Sequence, residues 1–145
     1  MRTLIYHVNL VDDGKVTEGS LLIEGTKISR RFPTLYTEEQ ARGILKATAS
    51  EGSTEPDCCI DGEGCYLSSG FIELHSHGAG GADFMDGTEE AYLTACRTHL
   101  EHGTTTIYPT TLSSSKEETI RSIKAFQRVK EALNQEQMKK GRRQS

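Results

Sequence analysis

The stretch Gly70-Phe71-Ile72-Glu73-Leu74-His75-Ser76-His77-Gly78-Ala79-Gly80-Gly81 decides how the chain is read. Residues 71–75 are a short, largely apolar run bounded by Gly70 and by the glycine-rich turn that follows. Such a run fits a strand buried on both faces, as in a parallel sheet. On a strand, residues two apart point to the same side, so His75 and His77 can converge on one ion. In parallel sheets and α/β barrels, active sites sit at the carboxyl ends of strands. Neutral imidazole nitrogen suits Zn²⁺, Fe²⁺ and Co²⁺, and the glycines at 78, 80 and 81 let the backbone bend and a ligand approach closely. His75 and His77 are therefore the candidate metal ligands. The competing explanation is a pair of packing or hydrogen-bonding histidines.

Toward the carboxyl end, Thr88 is placed to cap a helix, with Glu89 and Glu90 favourable near its positive end. Tyr92, Ala95, Cys96, His99 and Leu100 recur at helical spacing, and Gly103 stands where a terminating glycine belongs. Residues 104–108, TTTIY, form a β-branched strand ended by Pro109. Ser115-Lys116-Glu117-Glu118 is a capping box, and Ile120, Ile123, Phe126, Val129 and Leu133 give the helix after it an apolar face. Strand, helix, strand, helix predicts parallel βα units with a right-handed crossover over 68–133. Past Leu133 the apolar pattern stops, so 134–145 is expected to be a disordered basic tail.

Toward the amino end, residues 3–8, 20–24 and 27–32 read as three short strands joined by tight turns, a meander expected to begin a small β-sandwich over 1–67. A polar insertion spans about 33–56. Thr37-Glu38-Glu39-Gln40 has the capping-box form, which predicts one short helix, with a mobile loop after it over 49–56. Residues 58–67, CCIDGEGCYL, are expected to form a hairpin turning at Asp61–Gly64.

Apolar residues make up 34% of the 145, lean for a self-contained core, and the polar excess lies mainly in the insertion. The net charge is −4, without the basic face of a nucleic-acid-binding protein. Lys139, Lys140, Arg142 and Arg143 are read as a solvated chain end. The amino-terminal residues lack an apolar stretch of signal length, and the longest apolar runs fall far short of the ~20 residues that span a bilayer. A cytoplasmic protein without membrane contact is expected, with Cys58, Cys59, Cys65 and Cys96 as free, buried or half-buried thiols. Their spacing is not that of a metal cluster.

The segment GFIELHSHGAGGADFMDGT (70–88) resembles the first barrel strand of the amidohydrolase superfamily and, within it, the N-acetylglucosamine-6-phosphate deacetylase family. HGTTTIYPTTLSSS (102–115) is similar to that family's second strand and loop, and DGKVTEGSLLIEGTKIS (13–29) is similar to its amino-terminal β-sandwich. Ser69 stands where the family usually has Pro, and Glu73 where it has Asp; neither change removes a ligand.

The resemblance implies an α/β chain: part of a small β-sandwich, then the first two βα units of an incomplete metal-dependent-hydrolase TIM-type barrel. It implies hydrolysis of the acetamide of a small amino-sugar phosphate, N-acetylglucosamine 6-phosphate, assisted by a divalent metal, Zn or Fe. His75 and His77 would be the first ligands. The remaining ligands and the general-base aspartate would come from later strands, which makes this chain a truncated or frame-shifted fragment, inactive alone. The full-length relative would be a homo-oligomer.

His99 and His102 share a helix face but match no metal motif. His7 reads as structural or solvent-facing, and Asp83 and Asp86 as loop and helix-end acids. Two other readings stay open. One is an amidohydrolase of the dihydroorotase or allantoinase type, which HxH fits equally. The other is a non-catalytic metal-binding or oligomerising remnant, whose exposed strand edge would favour self-association.

Overall fold

The computed structural model describes residues 1–48 and 57–142, with side chains described as far as 135. The loop expected at 49–56 and the side chains of the basic cluster from Lys139 onward lie outside the described residues. The chain divides into two compact units, 1–69 and 70–145.

In the first unit, strands β1 (Arg2–Asp12), β2 (Lys15–Glu24) and β3 (Lys27–Phe32) form the expected antiparallel meander. A β-bulge reorganises β1. Its register against β2 shifts between Ile5 and Val8, and His7 takes a left-handed φ of 53°. Side-chain alternation therefore changes phase partway along one strand. Leu4 and Tyr6 face one side of the sheet with Leu22, whereas Val8 and Leu10 join Leu21 in a separate cluster.

The expected 58–67 hairpin does not form. Strands β4 (Asp57–Asp61) and β5 (Tyr66–Ser68) both run parallel to β1, one beside Arg2–Tyr6 and the other beside Asn9–Val11. Between them the chain loops outward and rejoins the same edge. Gly62 and Gly64 donate to the carbonyls of Tyr6 and His7, and the Cys65 carbonyl accepts from Asn9 N–H. Asp61 and Gly62 do begin a turn, but it serves an outward loop in a continuing edge and not a reversal.

Helix α1 (Glu38–Ala47) begins at the expected capping box, with Thr37 accepting from Gln40 N–H and Gln40 returning the bond to Thr37 N–H. It buries Ala41 and Leu45 against Leu4, Tyr6 and Leu22. Arg2 ties its carboxyl end to the sheet, donating to the Leu45 carbonyl at 2.8 Å and pairing with Asp57 at 2.5 and 2.9 Å. Among the described residues this unit contains one five-stranded sheet, not two facing sheets. The side opposite α1 is an apolar concavity of ≈330 Å³ lined by Ile5, Leu10, Leu21, Ile23 and Leu67.

The second unit runs β6 (Phe71–Ser76), the small hairpin β7 (Gly78–Ala79) and β8 (Ala82–Asp83), a 3₁₀ turn at Phe84–Asp86, α2 (Glu89–Glu101), β9 (Thr104–Pro109) and α3 (Lys116–Arg142). β6 and β9 pair in parallel across α2, as the strand–helix–strand pattern predicts. Thr88 caps α2 by accepting from Ala91 N–H, and Gly103 follows it at φ 89°, a conformation costly for any residue with a Cβ. Ser115 and Glu118 exchange capping bonds at the start of α3.

The core of this unit is Phe84, Tyr92, Ala95, Ala125 and Val129. Within it the Tyr92 hydroxyl donates to Ser122 Oγ, which donates to the Phe84 carbonyl, each at 2.8 Å. Three expectations change here. α3 packs through Ser122, Ala125 and Val129, with Phe126 against Tyr92, while Ile120, Ile123 and Leu133 are exposed: of the expected stripe Val129 enters the core, and small residues take the closest approach to α2. The helical backbone also continues through 134–142, where a disordered tail is expected from the sequence. Finally, β6 is not buried: Phe71, Ile72 and Leu74 are 63–69% exposed, because β9 is its only partner strand among the described residues. Among those residues no helix is long and apolar enough to cross a membrane.

Candidate functional site

The site is built at the carboxyl end of β6. Ser76 is buried, whereas His75 and His77 lie on the other side of the backbone, as strand alternation requires. The Nε2 atoms of His75 and His77 are 3.2 Å apart, with ring centroids 5.0 Å apart and planes at 84°. The two rings therefore meet edge to face with one nitrogen of each aimed at the same point.

The end of β9 orients one ring. Thr110 N–H donates to the Ser76 carbonyl at 2.8 Å, and the Thr110 carbonyl accepts from His77 Nδ1 at 3.0 Å. A carbonyl can only accept, so Nδ1 carries the proton and neutral His77 presents a bare lone pair at Nε2. This is the second contact that orients metal-bound histidines in general. Two nitrogens bound to a tetrahedral ion at ~2.0–2.1 Å would stand about 3.3 Å apart, close to the separation here. Without an ion, the His75 Nε2–H donates to His77 instead. The pair thus has the donor chemistry and spacing for two ligands of a divalent ion. Among the described residues no group of three or more His, Cys, Asp or Glu is arranged to hold a metal.

The other candidates are engaged elsewhere. Glu73 accepts from the His75 backbone N–H at 3.0 Å. Asp83 and Asp86 cap the 3₁₀ turn, Asp83 accepting from Met85 N–H at 2.7 Å and Asp86 from Asp83 N–H at 3.0 Å. His102 donates to the Thr98 carbonyl one turn back at 2.8 Å. His99 Nε2 lies 3.0 Å from Ser76 Oγ, on the far side of β6 from the histidine pair. His7 is half-exposed beside Asp61, whose carboxyl is held below its ordinary value by Glu63 N–H and then by His7.

The four cysteines are free thiols. Cys58 and Cys65 are exposed, against the expectation of burial: they occupy a sheet edge and its outward loop. Burial pushes the Cys59 and Cys96 thiols up.

Ser76 and Thr110 escaped the sequence reading. The signal for Ser76 was present, since the middle residue of HxH on a strand must face the opposite layer. Thr110 acts through its backbone, and only the pairing of β6 with β9 brings it to His77.

Three solved structures resemble the chain in fold. An N-acetylglucosamine-6-phosphate deacetylase from Pasteurella multocida matches with a TM-score of 0.67 at 24% identity, over 89% of this chain and 30% of that one. The N-acetyl-D-glucosamine-6-phosphate deacetylase from Mycobacterium smegmatis matches at 0.60 and 19% identity over 91% of this chain, both in a structure of the enzyme and in one of a variant in complex with N-acetyl-D-glucosamine-6-phosphate. The chain has the fold of the amino-terminal part of these deacetylases. The resemblance read from residues 70–115 is thereby borne out in the fold. The chain spans about 30% of the length of the deacetylases it matches. No protein-family model and no curated protein sequence matches it.

Proposed function

We propose that these residues are the amino-terminal part of a cytoplasmic, metal-dependent amidohydrolase that deacetylates N-acetylglucosamine 6-phosphate to glucosamine 6-phosphate and acetate. His75 and His77 are the first two metal ligands. The observation that carries this is the convergence of their Nε2 atoms at the carboxyl end of a parallel strand, within a deacetylase-type fold.

A bound divalent ion would supply Lewis-acid polarisation of the acetamide carbonyl and activation of water near neutral pH. The chain's own contribution is orientation. Thr110 holds His77 in the tautomer that leaves Nε2 free, and alternation along β6 brings His75 to the same point. A hydrolytic metal site generally has three protein ligands and an open position, so the pair makes up part of one. The resemblance assigns the remaining ligands and the general-base aspartate to later strands of a barrel.

The test is calorimetric titration of Zn²⁺ and Fe²⁺ into the 145-residue chain, beside His75→Ala and His77→Ala, with acetate release from N-acetylglucosamine 6-phosphate measured in parallel. Weak binding that either substitution abolishes, without turnover, is expected. Binding unchanged in both variants would remove the metal reading. Turnover by these residues alone would show that the third ligand and the base lie within them.

A further inference from the structure

The histidine pair sits where the sheet controls β6 least. Pairing with β9 is irregular between Glu73 and Ser76, and the His75 backbone N–H bonds to its own Glu73 side chain. A strand tip held so loosely can bulge, and a bulge at Ser76 would break the alternation there and separate the two imidazoles. Holding Ser76, the residue between them, toward the helical layer prevents this.

Three bonds do so. Ser76 is 8% exposed. Its Oγ lies 3.0 Å from His99 Nε2 and 3.1 Å from the Gly78 carbonyl, and accepts from Gly78 N–H at 3.3 Å. A hydroxyl donates once and accepts twice. All three contacts are satisfied together when Ser76 donates to the Gly78 carbonyl and accepts from Gly78 N–H and His99 Nε2–H. Gly78 is local to the strand tip, so His99, in the last turn of α2, is the side chain that reaches Ser76 Oγ from another element. The connection continues to the site: the Ser76 carbonyl accepts from Thr110 N–H, and the Thr110 carbonyl accepts from His77 Nδ1.

We infer that His99 is a positioning residue for the His75–His77 pair, acting through Ser76. Its effect on metal binding rests on the proposed metal role of the pair; its effect on ring orientation does not. α2 thus sets the facing of the strand tip, and the imidazole on one side of β6 orients those on the other.

The experiment compares wild type, His99→Ala, His99→Gln, Ser76→Ala and the Ser76→Ala/His99→Ala double variant. Co²⁺ affinity is measured by titration, and long-range ¹H–¹⁵N spectra of the metal-free imidazoles report the His77 tautomer. His99→Ala and Ser76→Ala should each weaken Co²⁺ binding about tenfold or more, the usual cost of losing a contact that orients a metal ligand. The double variant should lose no more than Ser76→Ala alone, because that change already removes the bond to His99. His99→Gln, whose amide N–H can still reach Ser76 Oγ, should recover most of the affinity. In the metal-free spectra His77 should be fixed as the Nδ1–H form in wild type and become a mixture in His99→Ala.

Unchanged affinity and tautomer in both single variants would overturn the inference, and Ser76→Ala decides the matter should His99→Ala fail to fold. If Co²⁺ binds equally well to His75→Ala, the metal reading falls on its own. The metal-free spectra then judge the positioning role: a mixed His77 tautomer in His99→Ala upholds it, and an unchanged one overturns it.

Discussion

Strands β1 and β6 are both apolar, β-rich and central to their units, yet only one of them is enclosed. β1 pairs with β2 along one edge and with β4 and β5 along the other; Leu4, Tyr6, Val8 and Leu10 are all buried. β6 has β9 on one edge, and Phe71, Ile72 and Leu74 remain 63–69% exposed. The difference teaches that an apolar run states a demand for cover without stating who supplies it. In the first unit the demand is met by three neighbouring strands and α1. In the second, β6 contributes no side chain to the apolar core, and among its residues only Ser76 is buried.

The comparison is sharpened first by truncating a leucine in each strand. Leu4→Ala, fully buried beneath α1, should cost about 3 kcal/mol through lost transfer energy and a residual cavity. Leu74→Ala, 69% exposed, should stay within about 0.5 kcal/mol. Urea unfolding followed by circular dichroism measures both. A Leu74→Ala cost matching that of Leu4→Ala would mean that β6 is covered in solution, for instance by self-association, and the contrast would collapse.

The next effect concerns what fastens α1. Arg2 is 8% exposed and Asp57 29% at the side chain, so removing the arginine strands a carboxylate that water only partly rescues. Breaking a fully buried pair costs about 3–5 kcal/mol; with the partner partly wet, Arg2→Ala should cost about 2 kcal/mol in the same unfolding measurement. A cost below about 0.5 kcal/mol would mean that the pair does not hold α1 to the sheet.

Smaller still is the cap of α2, the helix that carries His99. Thr88→Ala removes the bond to Ala91 N–H and should cost about 1 kcal/mol, with Thr88→Ser recovering most of it. Equal losses in Thr88→Ala and Thr88→Ser would point to methyl packing instead of capping.

The smallest effect is a pH dependence in the first unit. The Asp61 carboxyl lies below its ordinary 3.8 because it accepts from Glu63 N–H and then from His7. A carboxyl with a depressed folded value stabilises the fold above its unfolded value and loses that contribution as pH falls through the folded one. Asp61→Asn should therefore lower the urea midpoint at pH 6, and the gap from wild type should close below about pH 4, near the unfolded aspartate value. A gap that persists unchanged at low pH would show that Asp61 acts by packing and not by charge.

Much of the local structure was legible from the residues. Thr37, Thr88 and Ser115 begin their helices as capping chemistry requires, because a cap is a contact between neighbours in sequence. The parallel pairing of β6 with β9 followed from a helix-length connection. What misled was less local. Asp61–Gly64 carries turn residues whether the chain reverses or loops out, and the choice belonged to β1, whose bulge at His7 offers backbone partners to the outward loop. The apolar stripe of α3 was legible, but which face packs depended on how closely Ser122 and Ala125 allow the helix to approach Phe84 and Tyr92.

His75 and His77 were identifiable as a pair from alternation alone, because a period of two is a property of any extended chain. The sequence by itself determined that they share a face, that Ser76 turns away, and that a parallel strand–helix–strand unit carries them. The tertiary structure decided the rest. The separation of 3.2 Å, the tautomer of His77 and the hold of His99 on Ser76 arise from contacts between residues 23 to 33 positions apart, which only the packing of α2 and β9 on β6 brings together.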